Sequence, residues 1–357
     1  MDELDAIAAR IVGRDTGGER GPWSLEVYPT LRCNLDCGFC DTTERHRPAV
    51  RELSAVRWLA LLDEAAALGA RHLMVLGGGE PLLSTATVPL MARAKALGMT
   101  GMLTTNGTRL DAATQDALVE MAWEEVHVSV DGACPATHDG LRGRVGAFRR
   151  TVAAICQLRQ RRDRAARASP RLALHTVLTR RNLAELPALV ELAHAVGAVR
   201  LEVDALIAYR PEQHALALTA ADRRALPGVV AQALETARRL GVTSTLAALL
   251  APEATHRGRR LPDSGEGVGY AAAPCLRAWH HLVVQADGTT APCCVLAGEG
   301  GGEDALGDRS VTEVWEAGPF LQRVRAGMLQ GRPQARCAEC SENILVHERA
   351  IRARIGT

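Results

Sequence analysis

Six strand-like runs alternate with amphipathic helical stretches through the first two hundred residues, and this alternation limits the fold more than any other feature. The runs are SLEVYP (24–29), HLMVLGGGE (72–80), GMLTTNG (101–107), EVHVSVDG (125–132), LALHTVLT (172–179) and VRLEVDAL (199–206). Between them lie helical stretches with their own punctuation. SAVRWLALLDEAAALG has Ser54 placed to N-cap it and Gly69 to end it, and ATVPLMARAKALG ends at Gly98. Alternating βα units predict a parallel sheet, and six in succession predict an α/β fold built on a partial, TIM-like (β/α)6 barrel. In such barrels chemistry gathers at the C-terminal ends of the strands.

The distinctive motifs fall at those ends. CNLDCGFC (33–40) follows the first run, GGGEP the second, TTNG the third and SVDG the fourth. The chain has 357 residues, long enough for two domains, and its 42 basic and 41 acidic residues leave a net charge of +1. That balance steers the protein toward neither nucleic acid nor an anionic membrane. No apolar run approaches the ~20 residues needed to span a bilayer, and the start, MDELDAIAARIVGRD, lacks the pattern of a secretory signal, so a cytoplasmic location is expected. In that setting ten cysteines read as metal ligands before disulfides. Cys134 and Cys156 stand alone, and Cys156, on the apolar face VAAIC, reads as a small core residue.

Beyond Leu206 the alternation fades. A helix is expected from Thr219 to Leu240, then a linker rich in charge and glycine, HRGRRLPDSGEGVG. The expected division is an N-terminal extension (1–22), the barrel (23–250), the linker (251–269) and a small C-terminal domain (270–357). That domain opens with PCLRAWHHLVVQADGTTAPCC, a hairpin turning at Asp287-Gly288, followed by a helical segment, SVTEVWEAGPFLQRVRAGML, and by CAEC (337–340). By spacing alone, four thiolates from a hairpin and a CxxC knuckle suit zinc as well as an iron–sulfur cluster.

CxxxCxxC after the first strand of a six-unit βα pattern resembles the radical S-adenosylmethionine (SAM) superfamily. The resemblance implies that Cys33, Cys37 and Cys40 hold a [4Fe-4S] cluster with one iron open to SAM. Three soft ligands fix such a cluster. It implies further SAM-binding positions: Phe39 beside the adenine, and Gly78, Gly79 and Glu80 as the GGE motif, whose bare backbone permits close approach. Ser129 and Arg142 match positions that hold the ribose and the carboxylate, the latter suited to Arg142 by its fork of donors. Thr105, Asn106 and Asn182 match less specific positions, which by themselves would read as turn chemistry.

The C-terminal pattern of Cys275, Gly288 separated by four residues from Cys293, and a CxxC is similar to the twitch half of the SPASM auxiliary-cluster domain. The resemblance implies one auxiliary [4Fe-4S] cluster on Cys275, Cys293, Cys337 and Cys340, with Cys294 as the substitute for Cys293. A fully ligated cluster suits electron transfer. Twitch members include aminocyclitol dehydrogenases and aminoglycoside-modifying enzymes. The expected activity is therefore removal of a carbinol hydrogen from a small polar sugar, cyclitol or aminoglycoside, in dehydrogenation or epimerisation, with a reductant such as flavodoxin or ferredoxin as partner. About 22 residues precede the first strand, too few for the peptide-binding domain that peptide-modifying relatives often carry, and a peptide substrate is the second reading. A non-catalytic metal scaffold would leave the SAM positions without a role.

Substrate contacts are sought on inward parities. His127, Ser129 and Asp131 share one face of the fourth run, Glu202 and Asp204 one face of the sixth, and the fifth offers His175. Asp204 and Tyr209 stand nearest the mouth. Sulfatase-maturating relatives have a basic aspartate directly after the hairpin cysteine. Here that residue is Cys294, which makes Asp204 the candidate base and Cys294 a candidate hydrogen-atom donor for an epimerase.

Overall fold

The computed structural model describes residues 2–13, 21–42, 50–208, 210–250, 275–340 and 342–355. Tyr209 and the expected linker lie outside these residues. In chain order the elements are α1 (Glu3–Gly13), β1 (Ser24–Val27), α2 (Ala55–Ala67), β2 (His72–Val75), α3 (Thr87–Ala96), β3 (Thr100–Thr105), α4 (Ala112–Glu120), β4 (Glu125–Ser129), α5 (Pro135–Arg142), α6 (Ala147–Arg164), β5 (Arg171–Leu178), α7 (Leu186–Val196), β6 (Arg200–Ala205), α8 (Ala220–Leu240), β7 (Thr243–Ser244), β8 (His281–Val284), β9 (Thr290–Ala291), α9 (Val311–Ala317), α10 (Pro319–Leu329) and α11 (Glu342–Ile355).

Among the described residues, all nine strands belong to one sheet, in the order β7-β6-β5-β4-β3-β2-β1-β8-β9. The six expected strands lie side by side in parallel, as short β-helix-β connections require. The expected hairpin forms as the antiparallel pair β8-β9, with Gly288 at φ +85° in its turn. Its first strand runs parallel to β1, placing Ser24 opposite His281 and Glu26 opposite Val283. The C-terminal part thus continues the barrel sheet.

The two faces of the strands differ sharply. Leu25 and Val27, Leu73 and Val75, Val126 and Val128, and Leu201 and Val203 point outward into a core shared with Trp58, Leu61 and Leu62 of α2. The alternate residues, among them Glu26, His127, Ser129, His175, Glu202 and Asp204, face inward. Parallel strands are usually apolar on both faces. Here alternation within the strands marks an interior reserved for polar groups.

Helix ends follow the sequence signals. Ser54 Oγ accepts from Arg57 N at 3.2 Å, and Thr219 with Asp222 forms a reciprocal cap on α8. The single helical segment expected over 310–329 is broken into α9 and α10. Pro319 disfavours helical geometry at the preceding Gly318, which is extended at ψ 119°, and the Asp304 carboxylate accepts from Phe320 N (3.1 Å) and Leu321 N (2.8 Å) to cap the new start. The N-terminal segment is helix α1, and its Ile7 and Ala8 pack with Ile351 of α11, so both ends of the chain meet.

Candidate active site

The loop leaving β1 carries Cys33, Cys37 and Cys40 and is held from two sides. On one side, Gly79 N donates to Thr30 O (2.8 Å) and Glu80 N to Arg32 O (2.8 Å). A Cβ on Gly79 would stand 2.0 Å from Arg32 O, and one on Gly78 would stand 2.6 Å from Leu31 Cδ2. The motif glycines are therefore required first by the approach of the cysteine loop itself. On the other side, Asp36 N and Gly38 N donate to the carbonyls of Arg142 (3.0 Å) and Leu141 (3.1 Å) at the end of α5.

Glu80, Thr105 and Asn106 are brought together, chiefly with one another. The buried Glu80 carboxylate accepts from Thr105 Oγ1 (2.7 Å), Asn106 N (2.8 Å) and Leu82 N (3.1 Å), and burial raises its pKa despite those donors. Asn106 Nδ2 donates to Asn34 Oδ1 (3.0 Å) and lies 4.0 Å from Cys33 Sγ. Asn182 is engaged by the backbone around it. It is fully buried, its Oδ1 accepts from Thr179 N (2.7 Å), and its Nδ2 donates to the carbonyls of Asp131 and Val177, both at 2.9 Å. Its amide holds the end of β5 to the end of β4.

Asp131, fixed in that way, forms an ion pair with Arg142 (Nε to Oδ2, 2.5 Å). The same guanidinium donates from Nη1 to Cys37 Sγ at 3.7 Å and stacks over the Phe39 ring at 5.4 Å. Arg142 is thus a buried positive charge beside a cluster thiol, engaged by Asp131 as well. Burial pushes the Cys37 thiol up to about 12 against the pull of Arg142. A thiol so far from water becomes a thiolate when a metal centre supplies positive charge. Ser129 ends β4 on the inward face.

A second group of thiols lines a small apolar pocket. Cys275, Cys293, Cys337 and Cys340 line it together with apolar side chains such as Leu296, Val324 and Met328. Burial raises the thiols of Cys275 and Cys293 strongly, and that of Cys337 to about 11. Among the described residues no three His, Cys, Asp or Glu side chains converge on a point that would hold one metal ion. Zinc would need its sulfurs ~2.3 Å from a single centre. Four thiols spaced around a dry cavity fit a cluster whose corners they bind, and the donor set is the soft one that iron–sulfur clusters take.

Cys294 does not line this cavity. It begins the turn after β9, where Glu26, Tyr28 and Arg277 are its charged and polar neighbours. Glu26 accepts from Tyr28 Oη (2.7 Å) and contacts His281 Nε2 (2.8 Å). This group was missed by sequence reasoning, although a glutamate at the centre of SLEVYP was a readable sign. Farther along the sheet, His175 Nε2 meets Asp204 Oδ2 at 2.9 Å, and Asp204 outweighs burial to hold the imidazole above its ordinary pKa. Asp204 and His175 are thus brought together as a pair on the inward face. His127 is enclosed by Glu125 (3.0 Å) and Glu202 (3.1 Å), with Arg200 bridging both carboxylates, and serves the barrel's internal charge network.

No helix among the described residues is long and apolar enough to cross a membrane. A model of the radical SAM superfamily matches residues 27–193, and a model of SPASM, an iron–sulfur cluster-binding domain, matches 275–341. The PqqA peptide cyclase of Ruegeria pomeroyi is 32% identical over 324 residues, which are 87% of this chain and 80% of that protein. The AdoMet-dependent heme synthase of Methanosarcina barkeri is 28% identical over 85% of this chain and 83% of that protein. The crystal structure of Streptococcus suis SuiB bound to S-adenosylmethionine shares the fold, with a TM-score of 0.67 at 17% identity over 89% of this chain and 71% of that one.

Proposed function

Because the chain belongs to the radical SAM superfamily and carries a SPASM domain, and so binds SAM, a [4Fe-4S] cluster and an auxiliary iron–sulfur cluster, we propose that it is an enzyme that oxidatively modifies a peptide. The observation that carries this reading is the match to a peptide cyclase along nearly nine-tenths of the chain. It overturns the expected sugar, cyclitol or aminoglycoside substrate. The length of the segment before β1 was a poor guide, since it carries no information about the site. With that substrate the expected abstraction from a carbinol carbon is withdrawn.

When bound, SAM and the first cluster supply a 5′-deoxyadenosyl radical that takes a hydrogen atom from the substrate. The chain's own residues prepare the place. In this reading Cys33, Cys37 and Cys40 hold the first cluster, with Arg142 beside Cys37 and Phe39 under Arg142. Gly78 and Gly79 keep the edge beside it bare, Ser129 points inward toward SAM, and Glu80 fixes the TTNG turn. Cys275, Cys293, Cys337 and Cys340 hold the auxiliary cluster. His175, whose imidazole Asp204 holds above its ordinary pKa, offers hydrogen bonding to polar groups of the peptide from β5, four strands away from β1. An external reductant such as flavodoxin or ferredoxin supplies the electron that starts each cycle.

The test is incubation of the reconstituted protein with SAM, reductant and, separately, PqqA peptide with other ribosomal precursor peptides, porphyrin precursors, and aminoglycosides. A peptide should stimulate 5′-deoxyadenosine formation and pass deuterium from one of its C–H bonds into it. Stimulation by a porphyrin precursor alone would replace this reading with the one suggested by the heme synthase relative.

A further inference from the structure

The first half of the three-thiol loop is held by Asn106, Thr108 and the end of α5, through Asn34, Asp36 and Gly38. The second half, Phe39 and Cys40, is held from the far side of the sheet. After β6 the chain makes one 3-10 turn, Pro211–Leu216, whose residues reach the loop. Gln213 Nε2 donates to Phe39 O (3.0 Å), and Arg210 Nη2 donates to Cys40 O (2.9 Å). A Cβ on Gly38 would stand 3.6 Å from Leu216 Cδ1, so the segment from Arg210 to Leu216 meets three consecutive loop residues. The turn is itself anchored, since Arg180 N donates to Leu216 O (2.9 Å) and Arg210 N to Gln213 Oε1 (3.0 Å). Gln213 is fully buried. A carboxamide out of water is costly unless donor and acceptor are both engaged, and here they join segments 174 residues apart.

Resting on the reading above only for the first cluster and SAM at this loop, and not for the substrate, we propose that Gln213 is a positioning residue for SAM. It fixes the Phe39 carbonyl, and through that peptide plane the ring whose place is beside the adenine. The contacts divide the work between this residue and the others around the loop. Cys33 Sγ lies against Leu35 N (3.5 Å) and Asn106 Nδ2 (4.0 Å), Cys37 Sγ lies against Arg142, and Cys40 is held through its own carbonyl by Arg210. Gln213 bonds Phe39, which carries no thiol. Losing the carboxamide therefore releases the ring while the three ligands keep their own supports. The residue acts at a distance from the chemistry, on the orientation of SAM and not on the retention of iron.

The experiment reads binding and needs no substrate. Reconstituted, oxidised holoenzyme at pH 8 is dialysed to equilibrium against radiolabelled SAM without reductant, so that no SAM is consumed, and iron content is measured on the same samples. Gln213→Met, similar in length but without the amide, should keep its iron and raise the SAM dissociation constant about three- to tenfold, the equivalent of one net hydrogen bond. Gln213→Glu keeps the volume and an acceptor for Arg210 N but offers Phe39 O no donor, and it should weaken SAM to the same extent. Should Gln213→Met fail to load iron, Gln213→Glu carries the expectation alone. Wild-type SAM affinity in either variant with its iron intact overturns the proposal. Loss of iron from both overturns it as well, because Gln213 would then be holding the ligands. A wild type that binds no SAM would overturn the reading of the loop, and this inference with it, whereas failure of every peptide to stimulate turnover would leave the binding measurement intact.

Discussion

The two thiol sites stand on neighbouring strands yet are built on opposite terms. The loop after β1 offers three thiols beside a polar barrel interior. The pocket beside β8 offers four, walled mostly by leucine, valine and methionine, with Arg277 among them. Three ligands beside polar groups leave a cluster corner for a charged small molecule. Four ligands in an apolar enclosure leave none and exclude water, which favours passage of electrons over binding. The difference lies in the walls as much as in the count.

Removing each site in turn should break the comparison most visibly. Cys33→Ala, Cys37→Ala and Cys40→Ala combined should retain about half of the iron and form no 5′-deoxyadenosine, because only the three-thiol site opens to SAM. Iron analysis and chromatography of the SAM products check both halves. Cys275→Ala with Cys340→Ala should do the reverse, keeping SAM cleavage while losing the other half of the iron and the oxidised product. Cys294→Ala should retain all of the iron, since Cys293 lines the cavity and Cys294 does not. Loss of half the iron in Cys294→Ala would exchange the roles of the two cysteines.

A smaller effect sharpens the account of the loop. Gly79→Ala forces a methyl to within 2.0 Å of Arg32 O, a backbone atom with little room to move. It should cost about 1–3 kcal/mol and weaken iron retention at the three-thiol site only, read by denaturant unfolding and by iron content. An effect confined to acid pH concerns His138. His138, buried behind Arg142, accepts from Asp131 N at 3.2 Å, and burial with the Arg142 charge lowers its pKa to about 4. A group held below its unfolded value of about 6.5 stays neutral in the fold while the unfolded chain takes up the proton. Its contribution is complete above pH 6.5 and is lost between 6.5 and 4, up to about 3 kcal/mol, and His138→Gln should flatten that part of the stability profile measured by thermal unfolding.

The sequence disclosed what depends on local spacing. Strand-end motifs, the Ser54 and Thr219 caps, the Asp287-Gly288 turn and the three-thiol loop all follow from residues within a few positions of one another. It concealed what depends on which strands become neighbours. Glu26 and His281 are 255 positions apart and meet only because β8 lies beside β1. Arg142 and Asn182 matched ligand positions by motif, but their partners, Cys37 and Asp131 for one and the β4 and β5 carbonyls for the other, appear only once α5 and β5 are in place. Substrate identity was least legible, since the inward residues offer hydrogen bonds that a sugar or a peptide would accept equally well.

The pairing of β8 with β1 has a mechanical consequence. Neighbouring strands stand ~4.8 Å apart whatever the connections around them do, so the loop that leaves one and the hairpin that leaves the other are mounted on a common rail. The spacing between the two thiol-bearing segments is then a property of the sheet and independent of any hinge. Lengthening the chain between β7 and β8 should leave that spacing unchanged.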